Sequence, residues 1–214
     1  MTEMLFSEFE SAGFGLVRDG RMLLAEYNER WAAASIRETQ RILMLLNEPA
    51  LRIFHIGSTS IPGIQAKPIL DLLLATPSLG LLDSKQSSFE ILGYECKGEF
   101  GLDGRRYYVL ANKMTNTAYV HLHAWETDRP EILRHLVFRD YLRHHHVEAK
   151  RYEAIKISAV HKGADREKYL DSKAPIIDEI MKKAMAWAAT PAARSLCSTE
   201  WQIVDESDSK DLRK

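Results

Sequence analysis

The chain has 214 residues, a formal net charge of -1 and 45% hydrophobic residues, a balance that can close one core and excludes a disordered chain. With a pI of about 6.7 there is no bulk charge to draw it to nucleic acid or anionic lipid, and its most apolar stretch, Pro68 to Ala75, is far too short to span a bilayer. The two cysteines, Cys96 and Cys197, show no CxxC spacing, which argues against a disulfide framework and a thiolate zinc site and suits a reducing cytoplasm.

Residues 1–13 read as a loose lead-in, and the early Glu3 and Glu8 do not suit a secretory leader. Met22 to Tyr27 is a short strand by pattern. Asn28 then suits a helix cap, with the apolar run from Trp31 ending at Ile42, Leu45 and Leu46, and Asn47-Glu48-Pro49 stopping it. Arg52 to Ile56 reads as a buried strand, broken by Gly57-Ser58-Thr59-Ser60 and Pro62-Gly63 into a loop or a short helix. Pro68 to Leu74 is a second strand, apolar on both faces except at Asp71, which predicts a central place in its sheet.

Leu79 to Leu92 is predicted helical and Gly93 turns the chain. Two further strands, Arg106 to Leu110 and Ala118 to His123, are joined through the polar run Asn112 to Thr117 as a hairpin. From Arg129 the pattern turns helical, over 130–144, 147–161 and 165–189, with Asp165 as the last cap and Pro175 expected to kink or break that helix. Past Pro191 the chain is Ser-, Asp- and Lys-rich, and is expected to be mobile or to dock through Trp201 and Ile203 alone. The expected division is a lead-in at 1–21, a domain at 22–189 and a polar tail at 190–214.

Three groups of residues can carry chemistry. The first is His55-Ile56-Gly57-Ser58-Thr59 with Asp71 on the following strand. A strand ending in Gly-Ser lets the backbone approach a phosphate, whose oxygens can take bonds from turn N–H groups and from the Ser58 and Thr59 hydroxyls. Asp71 can then hold Mg²⁺ against those phosphates, because a carboxylate in so apolar a strand needs a cation or donors. Its plainer reading is a strand-end hydrogen-bond acceptor.

The second group is His121-Leu122-His123. Alternate residues of a strand share a face, so both imidazoles can bind a metal or a phosphate, or form a polar face under solvent or a helix. Third, Arg139 and Arg143 lie four apart on a helix and can grip a triphosphate or a carboxylate, or form a solvated face with Asp140. His144-His145-His146 reads as a solvated helix junction, since neighbouring residues on a helix diverge.

On these residues the chain resembles the GrpB family, within the nucleotidyltransferase-like superfamily. The matching segments are Tyr27-Asn28-Glu29-Arg30-Trp31, His55 to Ile64, Ala66-Lys67-Pro68-Ile69-Leu70-Asp71, Gly93-Tyr94, Gly104-Arg105-Arg106-Tyr107-Tyr108, His121-Leu122-His123, Phe138 to Arg143, and Tyr152 with Lys156. The resemblance implies an α/β (α+β) fold, a mixed curved sheet flanked by helices with further helices at the C-terminus, and a Gly-Ser turn that meets nucleotide phosphates. It also implies a pair of carboxylates two residues apart on the next strand, holding Mg²⁺, with a third on a later strand. This sequence departs from that pattern. Asp71 keeps the first place, Leu73 stands at the second, and the later strand offers His121 and His123.

Three functions follow as expectations. In the first, a cytoplasmic enzyme transfers a nucleotidyl group from an NTP to a small-molecule or protein acceptor. Asp71, His121 and His123 are then its catalytic and metal-holding residues, with Mg²⁺ or another divalent cation. Gly57, Ser58, Thr59, Lys67, Arg105, Arg139 and Arg143 bind the phosphates. In the second, the chain is a nucleotide or phosphometabolite-binding module that lacks the second carboxylate. In the third, His121, His123 and Asp71 build a metal-dependent hydrolase or lyase. No membrane or nucleic-acid partner is expected.

Overall fold

The computed structural model describes residues 2–15, 23–163 and 166–196. Among these, five strands form one mixed sheet in the order β1-β2-β5-β4-β3. The strands are β1 (Arg52–Ile56), β2 (Leu70–Thr76), β3 (Tyr94–Cys96), β4 (Arg106–Asn112) and β5 (Thr117–Glu126). β1 runs antiparallel to β2, β2 parallel to β5, and β4 antiparallel to both β5 and β3. The expected mixed sheet flanked by helices is therefore present.

Strand alternation builds a core on each face of this sheet. Leu70, Leu72 and Leu74 of β2 join Leu122 of β5 in the first core. There they meet Phe9 of α1 (Thr2–Ser11), Trp31 and Ile42 of α2 (Arg30–Leu46), Leu82 of α3 (Leu79–Ser84) and Phe89 of α4 (Gln86–Ile91). Leu73 and Ala75 point the other way, into a second core with Phe54, Ile56 and Trp125. It is closed by Leu136 of α5 (Pro130–His144), Tyr152 of α6 (His146–His161) and Ile180 of α7 (Arg166–Ala188). Between two apolar layers β2 can afford polarity only where the layers end, and Asp71, near its N-terminal end, sits there.

Several expectations need correction. Residues 1–13 are no loose lead-in: Thr2–Ser11 is helical, and Phe9, Ala12 and Phe14 are buried in the first core. In place of a strand at 22–27 there is one antiparallel bridge, Ala25 to Ala66, closed by two backbone hydrogen bonds of 2.8 and 3.0 Å; Met22 lies outside the described residues. The helix at 79–92 is two short ones, parted at Lys85, whose ammonium donates to Leu46 O at 3.1 Å. β3 was not foreseen, because three residues carry no alternation to read.

α2 ends on Asn47 in the left-handed region (φ 49, ψ 48), ahead of Pro49. At its start the N-cap is Glu29, whose side chain makes no capping bond, while Asn28 just before it accepts from Arg30 N at 3.0 Å. α7 runs unbroken through Pro175, held by buried Tyr169, Ile176, Ile180 and Ala184. Its expected cap, Asp165, lies outside the described residues, as do Trp201 and Ile203. Residues 191–196 are helical, and Ala193 is buried in the second core. No helix among the described residues is long and apolar enough to cross a membrane.

Candidate phosphate site at the sheet end

The site is assembled by register. Ile56, the last residue of β1, pairs with Asp71, and Asp71 pairs on its other side with His121 of β5. One step along, Leu73 pairs with His123, which in turn faces Tyr107 of β4. The two histidines share the face of Asp71, as the spacing predicts. His121 Nδ1 lies 3.3 Å and His123 Nε2 3.9 Å from the same oxygen, Asp71 Oδ1. Burial works to raise the Asp71 pKa, but hydrogen bonds and charge from His121 and His123 outweigh it and leave the carboxyl well below its usual range. Its side chain remains 30% exposed, within reach of a ligand.

Gly57 follows the pair. Its backbone (φ 70, ψ -174) belongs to a region that only glycine occupies readily, and it turns the chain into a single 3₁₀ turn at Ser58–Ser60. Ser60 holds that turn by donating from N at 3.2 Å and from Oγ at 2.6 Å to Gly57 O. A Cβ at Gly57 would collide with the Asp71 carboxylate, lying 2.9 Å from its Cβ and nearer still to Oδ2. The missing side chain is thus what lets the turn lie against the acid.

Helices of the second layer complete the surroundings. Tyr152 of α6, nearly buried, lies with its hydroxyl 3.4 Å from Ser58 Oγ. Its pKa is raised, first by burial and also by the charge of Asp71. Tyr169 and Lys173 come from one face of α7, four residues apart. Burial lowers the Lys173 pKa and so does the nearby charge of Lys67, while Asp71 opposes them. The charges of Asp71 and Lys67 thus both act on Lys173. Tyr169 and Lys173 were missed by sequence reasoning, although their spacing on a helix was visible.

Not every foreseen residue presents its polar group to this site. Thr59 is 2% exposed and turned inward, with Oγ1 3.0 Å from His55 Nε2 and donating to Ile69 O at 3.4 Å. Arg139 is 4% exposed, donates to both Asp140 oxygens at 2.7 and 2.9 Å, and reaches His55 O at 3.1 Å. Arg143 donates to Ser60 O at 2.9 Å and to Asp140 at 3.3 Å. The two arginines brace the turn through the carbonyls of His55 and Ser60. His55 stands beside them. Burial first, then the charges of Arg143 and Arg139, push its pKa down to about 3 against the pull of Asp71, so it is neutral at physiological pH.

α6 anchors the next stretch of loop. Gln65 N donates to Glu153 Oε1 at 2.5 Å, and the ammonium of Lys156 donates to Gln65 O at 2.5 Å while lying 4.7 Å from the Tyr152 ring centre. Lys156 is 1% exposed; burial, then Lys173, push its pKa down to about 7 although Glu153 raises it. An unfolded lysine titrates near 10.4, so between about pH 7 and 10.4 the unfolded chain binds the proton more often. Stability from this group therefore rises with pH across that window, by at most about 1.4 kcal/mol per unit. Lys156→Met is expected to flatten that part of the rise, measured as urea midpoints at pH 7, 8 and 9. An unaltered profile would mean that Lys156 keeps an ordinary pKa.

The donor set bears on the metal. Among the described residues no three His, Cys, Asp or Glu side chains are grouped to hold an ion. His121 and His123 converge on one Asp71 oxygen, at 3.3 and 3.9 Å. Leu73, at the place of a second carboxylate, is 0% exposed within the second core. A pair of Mg²⁺ ions has no fit here. One Mg²⁺ does, since that ion is commonly held by a single carboxylate together with ligand phosphates and water.

Fold and site together define a mixed α/β protein with a Gly-Ser turn set against one strand-borne carboxylate. Residues 21–183 match the family model described as GrpB protein, and the chain belongs to that family. It is 38% identical over 164 residues to the UPF0157 protein YqkA of Bacillus subtilis, a match that covers 75% of this chain and 46% of that protein, less than half its length. A UPF0157 protein of Halalkalibacterium halodurans is 35% identical over 164 residues, covering 76% of this chain and 82% of that one. Among solved structures, GrpB from Enterococcus faecalis superposes with a TM-score of 0.72 at 36% identity, over 78% of this chain and 100% of that one.

Proposed function

We propose that this site binds a nucleotide or another phosphorylated metabolite, with one Mg²⁺ joining its phosphates to Asp71, and that two-metal nucleotidyl transfer is not its chemistry. The observation that carries the reading is Leu73, sealed at 0% exposure where the second metal carboxylate would stand. Two-metal transfer needs several acids to place both ions, and this sheet end supplies one. What the site does supply is suited to binding. The open backbone at Gly57 lies against Asp71, the Ser58 hydroxyl follows it in the turn, and the charge of Asp71 acts on the Lys173 ammonium. The nucleotide in particular rests on the family resemblance; the phosphate rests on the residues. The ion, when bound, would neutralise phosphate charge. The chain's own groups orient the ligand.

A second reading, transfer of a nucleotidyl group to a small-molecule or protein acceptor, is favoured by one feature. His121 is 23% exposed and its Nδ1 faces Asp71, which leaves Nε2 as the nitrogen that can take a proton from an incoming hydroxyl. Incubation with labelled NTP and acceptor mixtures distinguishes the two: incorporation that requires His121 would favour transfer.

The first reading is tested by thermal shift with each NTP, with and without Mg²⁺, on wild type and Asp71→Ala. Ligand at 100 times its Kd stabilises the folded state by about 2.7 kcal/mol, which raises the Tm of a chain of this size by about 5–10 °C. That shift is expected for wild type with Mg²⁺ and expected to vanish in Asp71→Ala. A shift of equal size in the variant would remove Asp71 from the site.

A further inference from the structure

His123 has two neighbours, one at each ring nitrogen. Nε2 faces Asp71 at 3.9 Å, while Nδ1 lies 3.4 Å from Nη1 of Arg105. Arg105 is 6% exposed, and its Nε and Nη2 donate to the carbonyls of Glu99 at 3.1 Å and Phe100 at 2.8 Å. Its guanidinium lies 4.9 Å from the Tyr107 ring centre and 5.9 Å from that of Trp125. Among the described residues no carboxylate stands within ion-pair distance of it. Arg139, equally buried, is closed by Asp140 at 2.7 Å.

The same corner holds a second incomplete group. Trp125 is 2% exposed, and its indole Nε1–H has no acceptor among the described residues. His135 of α5 lies against it, with ring centres 5.5 Å apart, and 6.2 Å from His123. A buried cation whose partners are all neutral, and a buried donor without an acceptor, each keep part of their desolvation cost uncompensated. Carbonyls and aromatic faces soften the charge of Arg105 but leave it uncancelled, and they do nothing for the indole. One anion placed between the two would satisfy both.

We infer that the corner formed by Arg105, Trp125 and His135 is a carboxylate subsite, which takes a carboxylate group of a ligand or substrate between the Arg105 guanidinium and the Trp125 indole N–H. A planar guanidinium matches a planar carboxylate through parallel N–H bonds. Charge selects the monoanion as well. One guanidinium supplies one positive charge, and Asp71, across the His123 ring, repels a phosphate dianion. The subsite stands apart from the Gly57 turn and does not depend on that turn holding a nucleotide.

Acetate is the probe. The ¹H–¹⁵N resonance of the Trp125 indole, assigned by its loss in Trp125→Phe, is followed as acetate replaces chloride at constant ionic strength. A saturable shift is expected in wild type, and an affinity at least tenfold weaker in Arg105→Gln. Inorganic phosphate is expected to bind more weakly than acetate. Absence of a saturable shift, unchanged affinity in Arg105→Gln, or tighter binding of phosphate would overturn the inference. Should Arg105→Gln fail to fold, Arg105→Lys decides, because it keeps the charge and loses the planar fork. A several-fold loss is expected there, and full affinity would overturn the inference. No nucleotide enters this experiment, and neither Asp71 nor the Gly57 turn is varied in it. Its failure would leave the reading of the Asp71 site untouched, and failure of nucleotide binding would leave this one standing.

Discussion

Gly57→Ala is expected to destabilise the protein by about 3 kcal/mol and to abolish phosphate-ligand binding at Asp71. Two independent effects add at this position. The backbone conformation (φ 70, ψ -174) is one that side chains rarely adopt, worth about 1–3 kcal/mol in strain. The new methyl would also lie 2.9 Å from the Asp71 Cβ and closer to its Oδ2. Asp71 has little room to step aside, because His121 stands 3.3 Å and His123 3.9 Å from its Oδ1. Either the turn or the acid must move, and ligand binding needs both in place. Urea unfolding measures the first effect, and a fall in Tm of about 6–12 °C should accompany it. Gly63→Ala is the control: it too has a positive φ, of 76°, but nothing stands within 4 Å of its added Cβ. Strain alone should cost about 1 kcal/mol there and leave binding intact. Equal effects at the two glycines would mean that contact with Asp71 contributes nothing.

Much of this site can be read in the sequence because it rests on strand arithmetic. His121 and His123 must share a face, Asp71 must interrupt an apolar strand, and Gly57 must follow β1; the register brings the three together at one sheet end. What sequence cannot give is the identity of partners that are remote in the chain. Arg139 and Arg143 are spaced to act together and do so, but on Asp140 and on the carbonyls of His55 and Ser60, which lie more than eighty residues upstream. Thr59 resembles a phosphate ligand until its neighbours are known, and His55 then engages it. Tyr169 and Lys173 come within the influence of Asp71's charge because α7 packs back against α5 and α6. The errors of fold have a similar origin. α1 is held by tertiary burial of Phe9, and β3 is too short to display a period.

Leu73→Asp is the substitution that would restore the pattern of paired acids, and it is expected to unfold the protein or cost it more than about 4 kcal/mol. Leu73 is 0% exposed, paired in register with Phe54 and His123, and packed in the second core with Trp125 and Leu136. Replacing it removes apolar burial and places an acid where no cation waits. Its pKa in the folded state would be raised, so the folded protein would bind the proton more readily than the unfolded chain. Relative to Leu73→Asn, which has similar shape and no charge, the stability of Leu73→Asp should be fully recovered below about pH 4 and lost as pH rises through the folded value. Urea midpoints of the two variants at pH 4, 6 and 8 measure this. A Leu73→Asp protein that is stable at pH 8 and binds two Mg²⁺ with NTP would show that this sheet end accommodates the paired-metal arrangement, and would overturn the binding-module reading. Loss of the fold, with the Leu73→Asn protein less affected at high pH, would show that apolar packing occupies that place and that the single carboxylate at Asp71 is the site's full complement of strand-borne acid.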